Sequence, residues 1–218
     1  MFAHSIESAR RSGIFTKIVV ASDDDDILNM AHYYGADEVF RRDSSDSGSK
    51  NLDIDWLMNL WEKNIIETEY FSILRPTSPQ RSPELIVECF EKLLSSSCDS
   101  IRTVSLVSEH PGKMWRMNAN NIIFPYLTQK MNSHATHAMQ YHSLETLYIQ
   151  TSVLEIAKTR VIPETRSREG NSVLGFITHG FDTLAIDTQI DLDFLQYLLD
   201  SGKLVLPSIN KLPYGKIT

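Results

Sequence analysis

Between Arg75 and Arg81 the chain reads RPTSPQR, which puts two guanidinium groups and two hydroxyls, Thr77 and Ser78, within seven residues. Two arginines can hold a carboxylate or a phosphate through charge-assisted hydrogen bonds. The stretch follows an apolar run, YFSIL, and two other polar groups stand in the same relation to apolar runs. Ser22-Asp23-Asp24 follows KIVVA, and Asp187 follows TLAI. In open α/β sheets, ligands bind beyond the carboxyl ends of the strands. A carboxylate there can hold a divalent cation, which prefers hard oxygen ligands. A cation beside arginines suits nucleotide phosphates. Ser22 and Asp23 are thus candidates for nucleotide contact, Asp187 for a metal, and Arg75, Thr77, Ser78 and Arg81 for substrate. Each group also has a plain structural reading. Asp23 to Asp26 can open a helix, where acidic side chains favour the dipole. Ser78-Pro79 and Ser82-Pro83 can be turn residues. Asp187 can simply end a strand.

The elements that would carry these groups alternate. Phe2, Ile6 and Ala9 recur at helical spacing, and Gly13 can close that helix. KIVVA is a short continuous apolar run, as in strands buried on both faces. Ile27, Ala31 and Tyr34 mark a second helix stopped by Gly35, with a brief strand at Val39 and Phe40. RRDSSDSGSKN, residues 41–51, reads as a mobile loop. Ile54, Leu57, Met58, Trp61 and Ile65 form an apolar helical stripe. After YFSIL, Ser82 caps a helix with proline at its first position, and Leu85, Ile86, Cys89, Phe90 and Leu93 supply its buried face. SIRTVSLV, residues 100–107, is another strand. This alternation predicts an α/β fold with a mostly parallel sheet covered by helices.

From 110 to 150 the pattern changes to short apolar stretches, MWRM, IIFPYL and LETLYIQ, with polar breaks between them. That reads as an inserted hairpin region or dimerisation arm, and its aromatics Trp115, Phe124, Tyr126 and Tyr141 suit an interface or a core equally. LYIQTSVLEIA reads as a strand running into a short helix, GFITH as an edge strand and TLAID as a final core strand. Thr188 and Asp191 form a capping box, with Leu192, Leu195 and Leu199 facing inward.

The chain has 218 residues, 42% of them hydrophobic, enough for one substantial core. Its formal charge of −7 argues against a general nucleic-acid coat. Two cysteines, Cys89 and Cys98, are too few for a disulfide scaffold and lack partners at zinc spacing. His134, His137 and His142 also lack metal-site spacing. No run of 18 apolar residues predicts a membrane span. MFAHSIESARR lacks a secretory signal pattern, so the expected location is cytoplasmic.

Four of these stretches resemble one family. IVVASDDDDILNMAHYYGADEVFRR looks like the first third of the acylneuraminate cytidylyltransferases, or CMP-sialic acid synthetases. ILRPTSPQR resembles their LLQPTSPLR, YIQTSVLEIAKTRVI a YVQNASLEIAWTRVV stretch of one branch, and TLAIDTQIDLDFLQYLL their closing segment. The resemblance covers nearly the whole chain. It implies a single three-layer α/β/α nucleotidyltransferase domain, GT-A-like and Rossmann-like, with a dimerisation arm around 110–150 and a homodimeric assembly. The implied reaction couples CTP to the anomeric hydroxyl of an acidic sugar with magnesium and releases pyrophosphate. It places Arg75 where a glutamine faces the sugar, and Arg81, Thr77 and Ser78 on the family's own loop residues. Gln150 falls at a family glutamine and Thr151 at a usual asparagine, both toward the substrate. Asp187 matches one of two metal-binding carboxylates.

Three departures accompany the resemblance. The family's first strand and its glycine-rich basic loop, which wraps the CTP phosphates, have no counterpart in this sequence, where Met1 to Ile6 already matches the following helix. That strand is normally central in the sheet. Ala185 replaces the first metal-binding carboxylate, and Arg75 replaces a neutral amide. Two other readings stay open: a non-catalytic interaction subunit of the same fold, and a relative acting on a different acidic or phosphorylated ligand.

Overall fold

The computed structural model describes residues 1–42, 52–128, 130, 131 and 134–215. The stretch 41–51 expected as a mobile loop lies mostly outside them. Two units separate within the chain, one formed by residues 1–103 and 151–218, the other by 104–150.

In the larger unit, helix α1 (Phe2–Ser12) ends where Gly13 takes a left-handed φ of 70°, a conformation that costs glycine nothing. Strand β1 (Val19–Ser22) follows. Helix α2 (Asp25–Tyr34) starts under the Asp24 carboxylate, which accepts the Asp26 and Ile27 amides, and it stops at Gly35 with φ 99°. The acidic run is therefore, at least in part, a helix start. Strand β2 (Glu38–Arg41) pairs parallel with β1. Helix α3 (Asp53–Glu62), strand β3 (Tyr70–Ile73), helix α4 (Pro83–Leu94) and strand β4 (Ser100–Leu106) continue the alternation. The Ser82 hydroxyl accepts the Leu85 amide at the start of α4.

The smaller unit holds two short antiparallel pairs. Strand β5 (Trp115–Met117) pairs with β6 (Ile123–Pro125), and β7 (Lys130–Met131) with β8 (His134–Ala135). Trp115, Phe124, Tyr126 and Tyr141 are all exposed there, so they do not build a core in this chain. The Tyr141 hydroxyl donates to the carbonyls of Val107 and Ser108.

Strand β9 (Tyr148–Lys158), helix α5 (Val161–Thr165), strand β10 (Val173–Ile177) and helix α6 (Gln189–Asp200) complete the order. The expected strand-to-helix switch within LYIQTSVLEIA does not occur: all eleven residues from Tyr148 to Lys158 are strand. Val153 and Ile156 are buried in a sheet ordered β10-β4-β9-β3, and that burial decides against a helix. β9 runs antiparallel to β3, while β1 and β2 pair parallel, so the strands form a mixed/parallel arrangement. β9 is entered from residues 104–150 rather than from a helical crossover, so nothing forces it parallel.

Side-chain alternation gives the three layers. Ile18, Val20 and Val39 pack with Ile6, Ala31 and Ala36 of and after α1 and α2, while the Tyr70 ring meets Phe90 of α4 edge-on at 5.3 Å. The opposite face carries Phe40, covered by the Lys63 ammonium just beyond α3, and α3 packs on α5. The main core comprises Leu85, Ile86, Cys89, Leu93, Ile101, Val153, Leu154, Ile156 and Phe176. Burial pushes the Cys89 thiol up to about 12, leaving it an inert core thiol.

The strands fall into two separate sheets, β1-β2 and β10-β4-β9-β3. Each ends on an open edge. The Ile18 and Ser22 carbonyls accept amides of the β2 segment, so by alternation the Val19 and Ala21 peptide groups face away from β2. The Glu69 carbonyl accepts the Thr159 amide, so Tyr70 and Ser72 face away from β9. No strand among the described residues joins β1 to β3.

Candidate active site

The loop after β3 is held from inside. Arg81 is 1% exposed. Its Nε donates to the Val153 carbonyl, its Nη2 to the Arg75 carbonyl at 2.8 Å and its Nη1 to Ser5 Oγ at 3.4 Å. The Ser8 hydroxyl in turn donates to the Arg81 carbonyl at 2.7 Å. Burial pushes the guanidinium down to about 9, still protonated at neutral pH. Arg81 thus buckles α1, the loop and β9 together. The clamp expected from Arg75 and Arg81 does not form, because the Arg81 fork points into the protein.

The same loop clasps the segment before α6. The Thr77 carbonyl accepts the Ile186 amide at 2.9 Å, and Gln80 Nε2 donates to the Leu184 carbonyl at 2.6 Å. Those bonds explain why TLAID is not a core strand: its backbone is engaged by the loop, and residues 180–183 form a short 3-10 turn. They also bring Thr77 and Ser78 beside the chain leading to Asp187, as the motif order suggests. Ser78 is completely buried, and its Oγ has no hydrogen-bond partner among the described residues. Asp187 is exposed. Its amide donates to Asp191 Oδ2, which also takes the Thr188 amide in the expected capping box. These donors hold the Asp191 carboxyl below the usual range, the Thr188 hydroxyl first among them. Leu195 and Leu198 are the buried positions of α6, whereas Leu192 is 40% exposed, one step off the expected stripe.

The other candidates make contacts of their own. Ser22 is buried and its Oγ accepts the Asp24 amide at 3.1 Å. Asp23 pairs with Arg42 at 3.3 Å. The Thr151 hydroxyl donates to Thr103 Oγ1 at 2.7 Å inside the sheet, and Gln150 is exposed in the smaller unit.

Arg75 sits in a charge cluster that sequence reasoning missed. Its Nη2 donates to Asp53 Oδ2 at the start of α3, and Arg168 Nη1 donates to the same oxygen. Arg168 Nε approaches Glu155 Oε2 at 3.3 Å and Glu169 Oε2 at 3.6 Å. Arg102 reaches Glu155 at 2.8 Å and Glu169 at 3.7 Å. The Trp56 indole N–H donates to the second Asp53 oxygen at 3.2 Å. Burial raises the affinity of Asp53 for a proton, but Arg75, Trp56 and Arg168 together outweigh it and hold the carboxyl below the usual range. The only sequence signal was the arginine-rich TRSREG stretch, and its partners lie up to 115 positions away.

Among the described residues no three His, Cys, Asp or Glu side chains gather as a metal site. An open depression is lined by Asp193, Gln196, Tyr197, Asp200 and Ser201, all on or just after α6, and it includes none of the candidate residues.

A family model described as "Cytidylyltransferase" matches residues 1–189. The chain belongs to the cytidylyltransferase family. Curated relatives agree at the level of the family. A pseudaminic acid cytidylyltransferase of Campylobacter jejuni is 25% identical over 156 residues, covering 70% of this chain and 67% of the relative. A CMP-N,N'-diacetyllegionaminic acid synthase of Legionella pneumophila is 27% identical over 207 residues, covering 92% and 85%. Among solved structures, a CMP:2-keto-3-deoxy-manno-octonic acid synthetase complexed with CTP has a TM-score of 0.63 at 12% identity, over 91% of this chain and 87% of that one. A 4-diphosphocytidyl-2C-methyl-D-erythritol synthase from Anaerococcus prevotii has a TM-score of 0.61 at 12% identity, over 91% and 88%. These structures share the α/β Rossmann-like fold. No helix among the described residues is long and apolar enough to cross a membrane.

Proposed function

We propose that this chain transfers CMP from CTP to an acidic sugar of the acylneuraminate type. The sugar's anomeric oxygen bonds to the α-phosphorus of CTP, the bond to pyrophosphate breaks, and the hydroxyl proton leaves to solvent or a base. The family match over residues 1–189 carries the reaction type. The acidic substrate rests on Arg75, which is 34% exposed at its side chain, and on the names of the relatives, which are cytidylyltransferases or synthases of sugar acids.

In this reading Ser22 and Asp23 stand toward the nucleotide. Thr77, Gln150 and Thr151 stand toward the sugar, while Ser78, completely buried, belongs to the interior of the loop. Arg75 meets its carboxylate, and Arg81 positions the loop from within. Asp187 fits a magnesium ion: it is an exposed hard-oxygen donor whose carboxylate makes no hydrogen bond or ion pair among the described residues. Magnesium is commonly held by one or two carboxylates together with substrate phosphates, so one protein ligand beside Ala185 suffices. The ion would supply charge neutralisation at the phosphates. Exposed Trp115, Met117, Phe124 and Tyr126 support a second copy of the chain as the partner of the smaller unit. Ala185, standing at a metal-carboxylate position of the resembling family, favours a second reading, a non-catalytic subunit of the same fold.

The test is pyrophosphate release from CTP and magnesium with N-acetylneuraminate and related sugar acids. Turnover is expected with acids and absent with neutral N-acetylmannosamine. Asp187→Asn should lower it roughly 100-fold, the scale of losing one electrostatic group in a phosphoryl site, without changing Tm. No pyrophosphate with any acid would favour the non-catalytic reading.

A further inference from the structure

Two arginines from distant segments converge on one oxygen of Asp53. The helix does not require Asp53 there. The orphan amide at the start of α3 is taken by Asp55, whose Oδ2 accepts the Leu52 N–H at 3.2 Å. Arg168 has further carboxylates in Glu155 and Glu169. Arg75 has only Asp53: its Nε and Nη1 donate to no protein acceptor among the described residues, although the side chain is largely shielded. A guanidinium held by a carboxylate through Nη2 alone, with Nε and Nη1 unengaged, can grip an oxyanion with two bonds once that carboxylate leaves.

Ion pairs among the described residues surround it. Arg75, Arg102 and Arg168 face Asp53, Glu155 and Glu169. Swinging Asp53 away would take a negative charge from a half-buried place. An incoming carboxylate would replace it in kind, with no new charge type to desolvate.

We propose that Asp53 occupies an anion seat made by Arg75 and Arg168, and that the carboxylate of an acidic ligand displaces it. This rests on the acidic-sugar reading above and adds a built-in competitor to it. The tethered carboxylate lowers the apparent affinity for any acid, because the ligand binds only the fraction of molecules with the seat open. It also disfavours neutral sugars, which cannot replace the charge that leaves.

The experiment is calorimetric titration of the full chain and of Asp53→Asn with N-acetylneuraminate, with N-acetylmannosamine as the neutral control and no nucleotide present. Asp53→Asn keeps an oxygen for the Trp56 indole. It should bind the acid about tenfold more tightly than the unaltered chain, by removing the internal competitor, with no gain for the neutral sugar. Adding Arg75→Ala should erase the gain. Equal or weaker acid binding by Asp53→Asn, a gain that survives Arg75→Ala, or no acid binding by either protein would each overturn the seat. In the unaltered chain, saturating acid should shift the Trp56 indole N–H resonance, since its acceptor moves. Acid binding without that shift overturns the proposal without relying on any variant. CTP with magnesium is titrated separately, so a failure of the nucleotide reading shows there and not in the sugar heats.

Discussion

Arg81 carries its charge where water does not reach, and three protein oxygens stand in for water. A loop bearing hydroxyls and arginines signals anion binding in sequence, yet nothing local tells an arginine turned outward from one turned inward. The difference is made by β9, whose Val153 carbonyl lies 72 positions away and accepts the Arg81 Nε. Arg81→Ala should therefore act on stability. It would leave the Val153 carbonyl without that donor and open a cavity, costing about 3 kcal/mol or more. Chemical denaturation reads this directly, and a change below about 0.5 kcal/mol, the ordinary scatter of surface sites, would contradict the buried placement. Arg75, six positions earlier, faces outward to Asp53 and Arg168 and is the residue for ligand chemistry.

Among the elements, those with signals of their own were legible. Gly13, Gly35, Asp24, Ser82 and Thr188 each end or start a helix as their residue types dictate. Where a segment's state depends on a distant partner, local pattern was insufficient. TLAID alternates like a strand, but the Thr77 carbonyl and the Gln80 amide take its backbone groups. LYIQTSVLEIA carries helical spacing in its second half, but burial between β4 and β3 keeps it extended. The break between the two sheets has a consequence of its own. Unpaired strand edges leave every second amide without a ladder partner. Hydrogen exchange should show Val19, Ala21, Tyr70 and Ser72 exchanging roughly 100-fold faster than Val20 and Phe71, which lie in the same strands but bond inward. Uniform protection along both strands would mean that the edges are covered.

For the molecule as a whole, alternation and motif order were enough for the α/β class and the family, because both depend on residues near one another in sequence. The charge cluster around Asp53 was not legible: it joins α3, the loop after β3, β4, β9 and the segment after α5, and no local spacing encodes such a meeting. The exposed aromatics of residues 104–150 were ambiguous for a related reason, since apolar residues alone do not say which side of a surface they will face. The proposed function rests on binding of CTP with a magnesium ion at Asp187. Calorimetric titration with CTP and magnesium tests it most directly. The account predicts micromolar binding that weakens in Asp187→Asn. A chain that unfolds cooperatively yet gives no heat with CTP would contradict it.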